Sequence, residues 1–138
     1  MLDAGRRMRE IEEQYGGTVA LFHYPPERPG RDNFVGTRAV CFVDRTTEDD
    51  YDYAYYIGTA KMGRREPGFS KPLGRTYAIC RMECELEEAR HGDALGQEDD
   101  EQQFEDMFDE EIQFFFDRGA IPDDQLPARL IALWGGLA

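Results

Sequence analysis

Two short runs, TVALFHY (18–24) and TRAVCFV (37–43), are rich in β-branched and aromatic residues, and PPERPGRDN lies between them. No other feature restricts the fold as much. Runs of this length and composition are strands. The Pro and Gly residues between them exclude a regular element, so a longish loop is expected there. A third run, YDYAYYIGTAKM (51–62), sets Tyr51, Tyr53, Tyr55 and Ile57 alternately against Asp52, Ala54, Tyr56 and Gly58, the period of a strand. Three consecutive strands joined by turns predict an antiparallel meander.

Helical periods flank this sheet. In DAGRRMREIEEQYGG (3–17), Asp3 is an N-cap, Met8, Ile11 and Tyr15 share a face, and the Gly16-Gly17 pair marks a stop. The stretch FSKPLGRTYAICRMECELEEARHG (69–92) fits two periods. Cys80, Met82, Cys84 and Leu86 alternate with Arg81, Glu83, Glu85 and Glu87, as in a strand. Leu73, Tyr77, Cys80 and Cys84 recur at helical steps, Ser70 is placed to cap, Pro72 fits a first turn and Gly92 a stop. The end signals favour a helix with Leu73, Tyr77, Cys80 and Cys84 as its apolar stripe.

After the break DALGQ, residues 98–119 read EDDEQQFEDMFDEEIQFFFDRG, ten carboxylates and one arginine. Phe104, Met107, Phe108, Ile112 and Phe115 fall on one face and Glu101, Glu105, Asp109 and Glu110 on the other, which predicts one amphipathic helix. AIPDDQLPARLIALWGG (120–136) closes the chain with Leu126, Leu130, Leu133 and Trp134 on a stripe. The expected fold is α+β: an α-β-β-β-α core with a three-stranded antiparallel sheet, helices on one face, plus two C-terminal helices. At 138 residues this is a single domain, with a core over 1–92 and an acidic helical extension over 93–138 packed on it.

No apolar run is long enough to span a membrane, and the charged N-terminus is no signal peptide, so a cytoplasmic protein is expected. Cys41, Cys80 and Cys84 make an odd count that suits a reducing compartment and three buried thiols. The net charge of −13 is concentrated: residues 1–90 hold 16 acids and 14 bases, residues 91–138 hold 13 acids and 2 bases. A high-salt host would spread carboxylates more evenly.

Two resemblances attach to these residues. The order helix, three strands, helix over residues 3–90 resembles the double-stranded RNA-binding domain. Its last helix begins with a Ser-Lys-rich stretch, matched here by Ser70, Lys71, Gly74, Arg75, Ala78 and Ile79 in SKPLGRTYAI. That resemblance implies phosphate contacts from the start of that helix. Here Pro72 stands in place of a lysine, and PPERPGRDN lacks the family's Gly-Pro-x-His feature. The longer stretch GTAKMGRREPGFSKPLGRTYAICRM (58–82), through Gly58, Ala60, Phe69, Ser70, Lys71, Gly74, Arg75, Ala78 and Arg81, is similar to a pattern in small proteins of phages and other mobile elements. It implies an origin, not an activity.

Zinc held by Cys41, Cys80, Cys84 and His91 has no CxxC pair to support it, and neither EDDYD nor EDDE has calcium-loop spacing. His23 and His91 stand outside any catalytic motif, and no nucleophile elbow, P-loop or dinucleotide fingerprint occurs. A non-enzymatic protein without metal or cofactor is therefore expected. The foremost reading is an inhibitor or adaptor of anti-CRISPR type. Its acidic surface, Glu98, Asp99, Asp100, Glu101, Glu105, Asp109 and Glu110, would imitate nucleic acid in the basic channel of a host protein. The alternative is a duplex RNA- or DNA-binding module using the Arg64-Arg65 turn, Lys71, Arg75 and Arg81. Homodimerisation through LPARLIALW is a further expectation.

Overall fold

The computed structural model describes residues 3–44, 53–62, 71–91, 104–121 and 126–135. The chain divides into two compact units, Met1–Leu95 and Gly96–Ala138.

The first unit runs α1 (Ala4–Tyr15), β1 (Gly17–Tyr24), β2 (Gly36–Asp44), β3 (Tyr53–Lys61) and α2 (Lys71–His91). The Asp3 carboxylate accepts the Arg6 backbone N–H at the start of α1. Gly16 ends it in the left-handed region at φ 72°, where a side chain is strained. Gly17 then opens the first strand and takes no part in the stop. The expected irregular loop contains a short 3-10 turn at Arg31–Asn33, with Asp32 and Asn33 at positive φ.

The sheet is the expected meander, β1-β2-β3, antiparallel throughout. Its register sets Val19, Cys41 and Tyr56 in one row, Leu21, Ala39 and Gly58 in the next, and His23, Thr37 and Ala60 in the third. Because side chains alternate along a strand, all three rows lie on one face. Helices cover it: α1 rests on β1, and α2 on β3 and β2. Ile11, Val19, Ala39, Cys41, Val43, Ile79, Met82 and Leu86 form the buried core between the layers. β2 is buried on its other face too, at Val40 and Phe42, which explains its unbroken apolar run.

Residues 71–91 are a helix, as their end signals require, but a different face is buried. Gly74, Ala78, Ile79, Met82 and Leu86 turn inward, whereas Leu73 is 40% and Tyr77 51% exposed, and Cys80 and Cys84 are exposed. Of the three thiols expected in the core only Cys41 is there, and burial, then Glu12, pushes its pKa up to about 12. The cause lies in the sheet. Two of the three row-forming residues of β3, Gly58 and Ala60, are small, and a Cβ on Gly58 would stand 2.0 Å from the Ala78 carbonyl oxygen and 2.3 Å from the Met82 nitrogen. A helix that approaches this closely must present small residues, so the Gly74–Ala78 side wins over the Leu73–Tyr77 side.

Between the helices, Arg7 donates from Nε to Glu83 Oε1 at 2.6 Å and from Nη2 to Glu83 Oε2, and Nη1 reaches Glu10 at 2.8 Å. Glu83 and then Glu10 hold this guanidinium protonated beyond its ordinary range. The Tyr15 hydroxyl donates to Glu87.

The second unit contains α3 (Asp109–Asp117) and α4 (Ala128–Gly135). The single helix expected over 98–119 is corrected here: residues 104–107 form a turn and the helix starts at Asp109. Fully buried Glu111 explains the start, because its Oε1 accepts the Phe108 backbone N–H at 3.0 Å. This is one arm of a capping box, and it fixes the first turn after Phe108. Phe104, Met107, Phe108, Ile112 and Phe115 are all buried, as the spacing implied. In α4, Leu130 is buried and Ile131 exposed. Arg129 Nη2 donates to the carbonyl oxygens of Phe104 at 2.8 Å and Met107 at 2.6 Å, and its Nε lies 2.9 Å from Asp109 Oδ1. No helix among the described residues is long and apolar enough to cross a membrane.

Candidate functional site

The start of α2 runs against its own macrodipole. Lys71 and Arg75 stand in the first two turns, with no acid in the first, whereas Glu83, Glu85, Glu87 and Glu88 lie in its second half, ahead of Arg90 and His91. A helix by itself prefers the reverse, by about 0.3–1 kcal/mol per charge. Two of the acids have partners that explain them, Arg7 for Glu83 and Tyr15 for Glu87. The two cations have no carboxylate partner among the described residues.

They converge instead on a cleft. Lys71 and Arg75, one turn apart, line an opening of about 140 Å³ together with Leu21, Phe22 and His23 of β1 and Thr37 of β2. Strand register brings the last two together, since His23 pairs directly with Thr37. His23 Nδ1 lies 3.4 Å from the Thr37 hydroxyl, a long contact. Thr37 is only 2% exposed. Burial, then Lys71 and Arg75, lower the pKa of His23 below its ordinary 6.5. Among the described residues no carboxylate lines the cleft, in a chain with 29 acids and 16 bases.

The expected basic residues therefore separate. Lys71 and Arg75 meet at the cleft, while Arg81 donates to the Thr59 carbonyl and lies 5.8 Å from the Tyr77 ring, away from it. Arg64 and Arg65 lie outside the described residues, as does Ser70. Sequence reasoning missed His23 and Thr37. Only the β1-β2 register could have found them, and each alone reads as an ordinary strand residue.

Of the acidic surface, Glu98, Asp99, Asp100 and Glu101 lie outside the described residues. Glu105, Asp109 and Glu110 are solvent-exposed, but Asp109 is engaged by Arg129. The described helix that carries the last two is nine residues long. Both acidic motifs weighed for calcium, EDDYD and EDDE, fall wholly outside the described residues. Cys41 is in the core while Cys80 and Cys84 face solvent, so Cys41 does not join the other two. No group of three or more His, Cys, Asp or Glu that could hold a metal occurs among the described residues.

Comparison with protein-family models, with curated proteins and with solved structures finds no match.

Proposed function

We propose that this protein binds a phosphate-bearing polyanion, duplex RNA or DNA, through the first two turns of α2, and that it catalyses no reaction. One observation carries the reading: Lys71 and Arg75 converge on a cleft that no carboxylate lines among the described residues. In so acidic a chain, placing cations where the helix itself disfavours them calls for an anionic partner. The α-β-β-β-α order and the SKPLGRTYAI stretch support the same choice, since the domain they resemble contacts phosphates from this part of its last helix.

The test is fluorescence anisotropy of the full chain against labelled duplex RNA and duplex DNA over a salt series. Binding is expected, and replacing Lys71 and Arg75 together by Ala weakens it about tenfold or more, roughly 1.4 kcal/mol. The salt slope then falls by roughly one per cation removed. Failure of both duplexes to bind at any salt sinks this reading. Retention of a basic partner protein by the same chain would then move the assignment to the acidic segment, which the charge excess beyond residue 90 favours.

A further inference from the structure

Four donor-bearing side chains from three elements line one small opening, and their number says more than their charge. Lys71 and Arg75 come from α2, His23 from β1 and Thr37 from β2. An internal phosphodiester carries one charge and offers two free oxygens. A terminal phosphate offers three and carries about −1.5 to −2 near neutral pH. We infer that the cleft receives a terminal phosphate, the phosphomonoester dianion at a nucleic-acid end, with Lys71 and Arg75 as its charge partners and the Thr37 hydroxyl as a third donor.

Size supports this. At about 140 Å³ the cleft holds a phosphate with a few waters, well below the roughly 300–1,000 Å³ of sites that enclose a drug-sized molecule. Thr37 adds a donor of a different kind, a buried hydroxyl on the cleft wall beside His23. Leu21 and Phe22 form an apolar part of the wall, where charge-assisted hydrogen bonds strengthen. Among the described residues Lys71 and Arg75 are the charged groups facing His23, and neither β1 nor β2 adds another to the lining. A dianion between them therefore raises the His23 pKa that they now depress, so binding takes up a proton and tightens as pH falls toward the ordinary His value.

The inference rests on the polyanion reading for its site but is narrower. The full chain is titrated with two otherwise identical duplexes, one ending in a 5′-phosphate and one in a 5′-hydroxyl, and separately with inorganic phosphate. The His23 ring resonance is followed by NMR. A preference of about tenfold for the phosphorylated end is expected. Thr37→Val removes most of that preference while leaving hydroxyl-ended binding in place, and Lys71→Ala with Arg75→Ala weakens both. Millimolar inorganic phosphate shifts the His23 resonance and raises its titration midpoint. Equal affinity for the two ends, still sensitive to Lys71 and Arg75, overturns the terminal-phosphate inference and leaves polyanion binding intact. If neither duplex binds, the polyanion reading fails, and the phosphate titration alone decides: a shift of His23 supports a site for small phosphomonoesters, and a static resonance overturns the inference.

Discussion

The two units solve the same problem, satisfying buried backbone, by different means. In the first, the meander pairs its strands in continuous register and the helices close on it through apolar contacts. Its main charged tie, Arg7 to Glu83, joins side chain to side chain. In the second, no strand occurs among the described residues, and long side chains serve the backbone directly: Arg129 fills two carbonyls and Glu111 one amide. Where a ladder is present, polar side chains are dispensable supports. Where it is missing, they become the framework.

This contrast can be broken first at Gly58. Gly58→Val puts a branched side chain where even a Cβ meets helix backbone at 2.0 Å, so the loss should exceed about 4 kcal/mol, seen as a collapsed urea midpoint or no folded protein. An unchanged midpoint refutes the close-packing account. Next comes Arg129→Ala, which strands the Phe104 and Met107 carbonyls and should cost about 2–3 kcal/mol. Amide exchange should rise across residues 104–117 while residues 53–61 keep their protection. If both segments change together, the units do not differ as argued.

Arg7→Ala sharpens the comparison from the other side. It removes a half-buried tie between apolar-packed helices, and a loss near 1 kcal/mol is expected by thermal unfolding, clearly less than at Arg129. A loss equal to that of Arg129→Ala would erase the distinction. The smallest effect belongs to His23. Its pKa is depressed in the folded state, so its contribution is complete above the ordinary 6.5 and declines as pH falls through that value toward the folded one. Wild type should lose more stability than His23→Gln across that interval, and parallel curves would show that the cleft does not perturb it.

How far the sequence disclosed this molecule depended on whether a signal was local. The strands, the Asp3 cap and the Gly16 stop are local, and the structure places them as read. In α2 the end signals named the element, yet two interleaved stripes competed for its inner face. Only the small residues of a neighbouring strand decided between them. The beginning of α3 was obscured because Phe104, Met107 and Phe108 keep helical spacing through a turn, and the buried role of Glu111 is invisible in its charge. At the cleft, Lys71 and Arg75 were legible as neighbours on one helix. His23 and Thr37, fourteen positions apart, are joined only by register.

Each strand of the sheet neighbours the strand that follows it in the chain, and β3 is followed by the helix that lies on it. Such local wiring keeps loop-closure entropy low and favours rapid folding for a sheet of this kind. The hairpin of β2 and β3 can form early and receive α2 as the next segment, with the notch at Gly58 marking where that helix stops sliding. The spot where helix and strand meet most closely thus also sets the depth at which Lys71 and Arg75 come to rest.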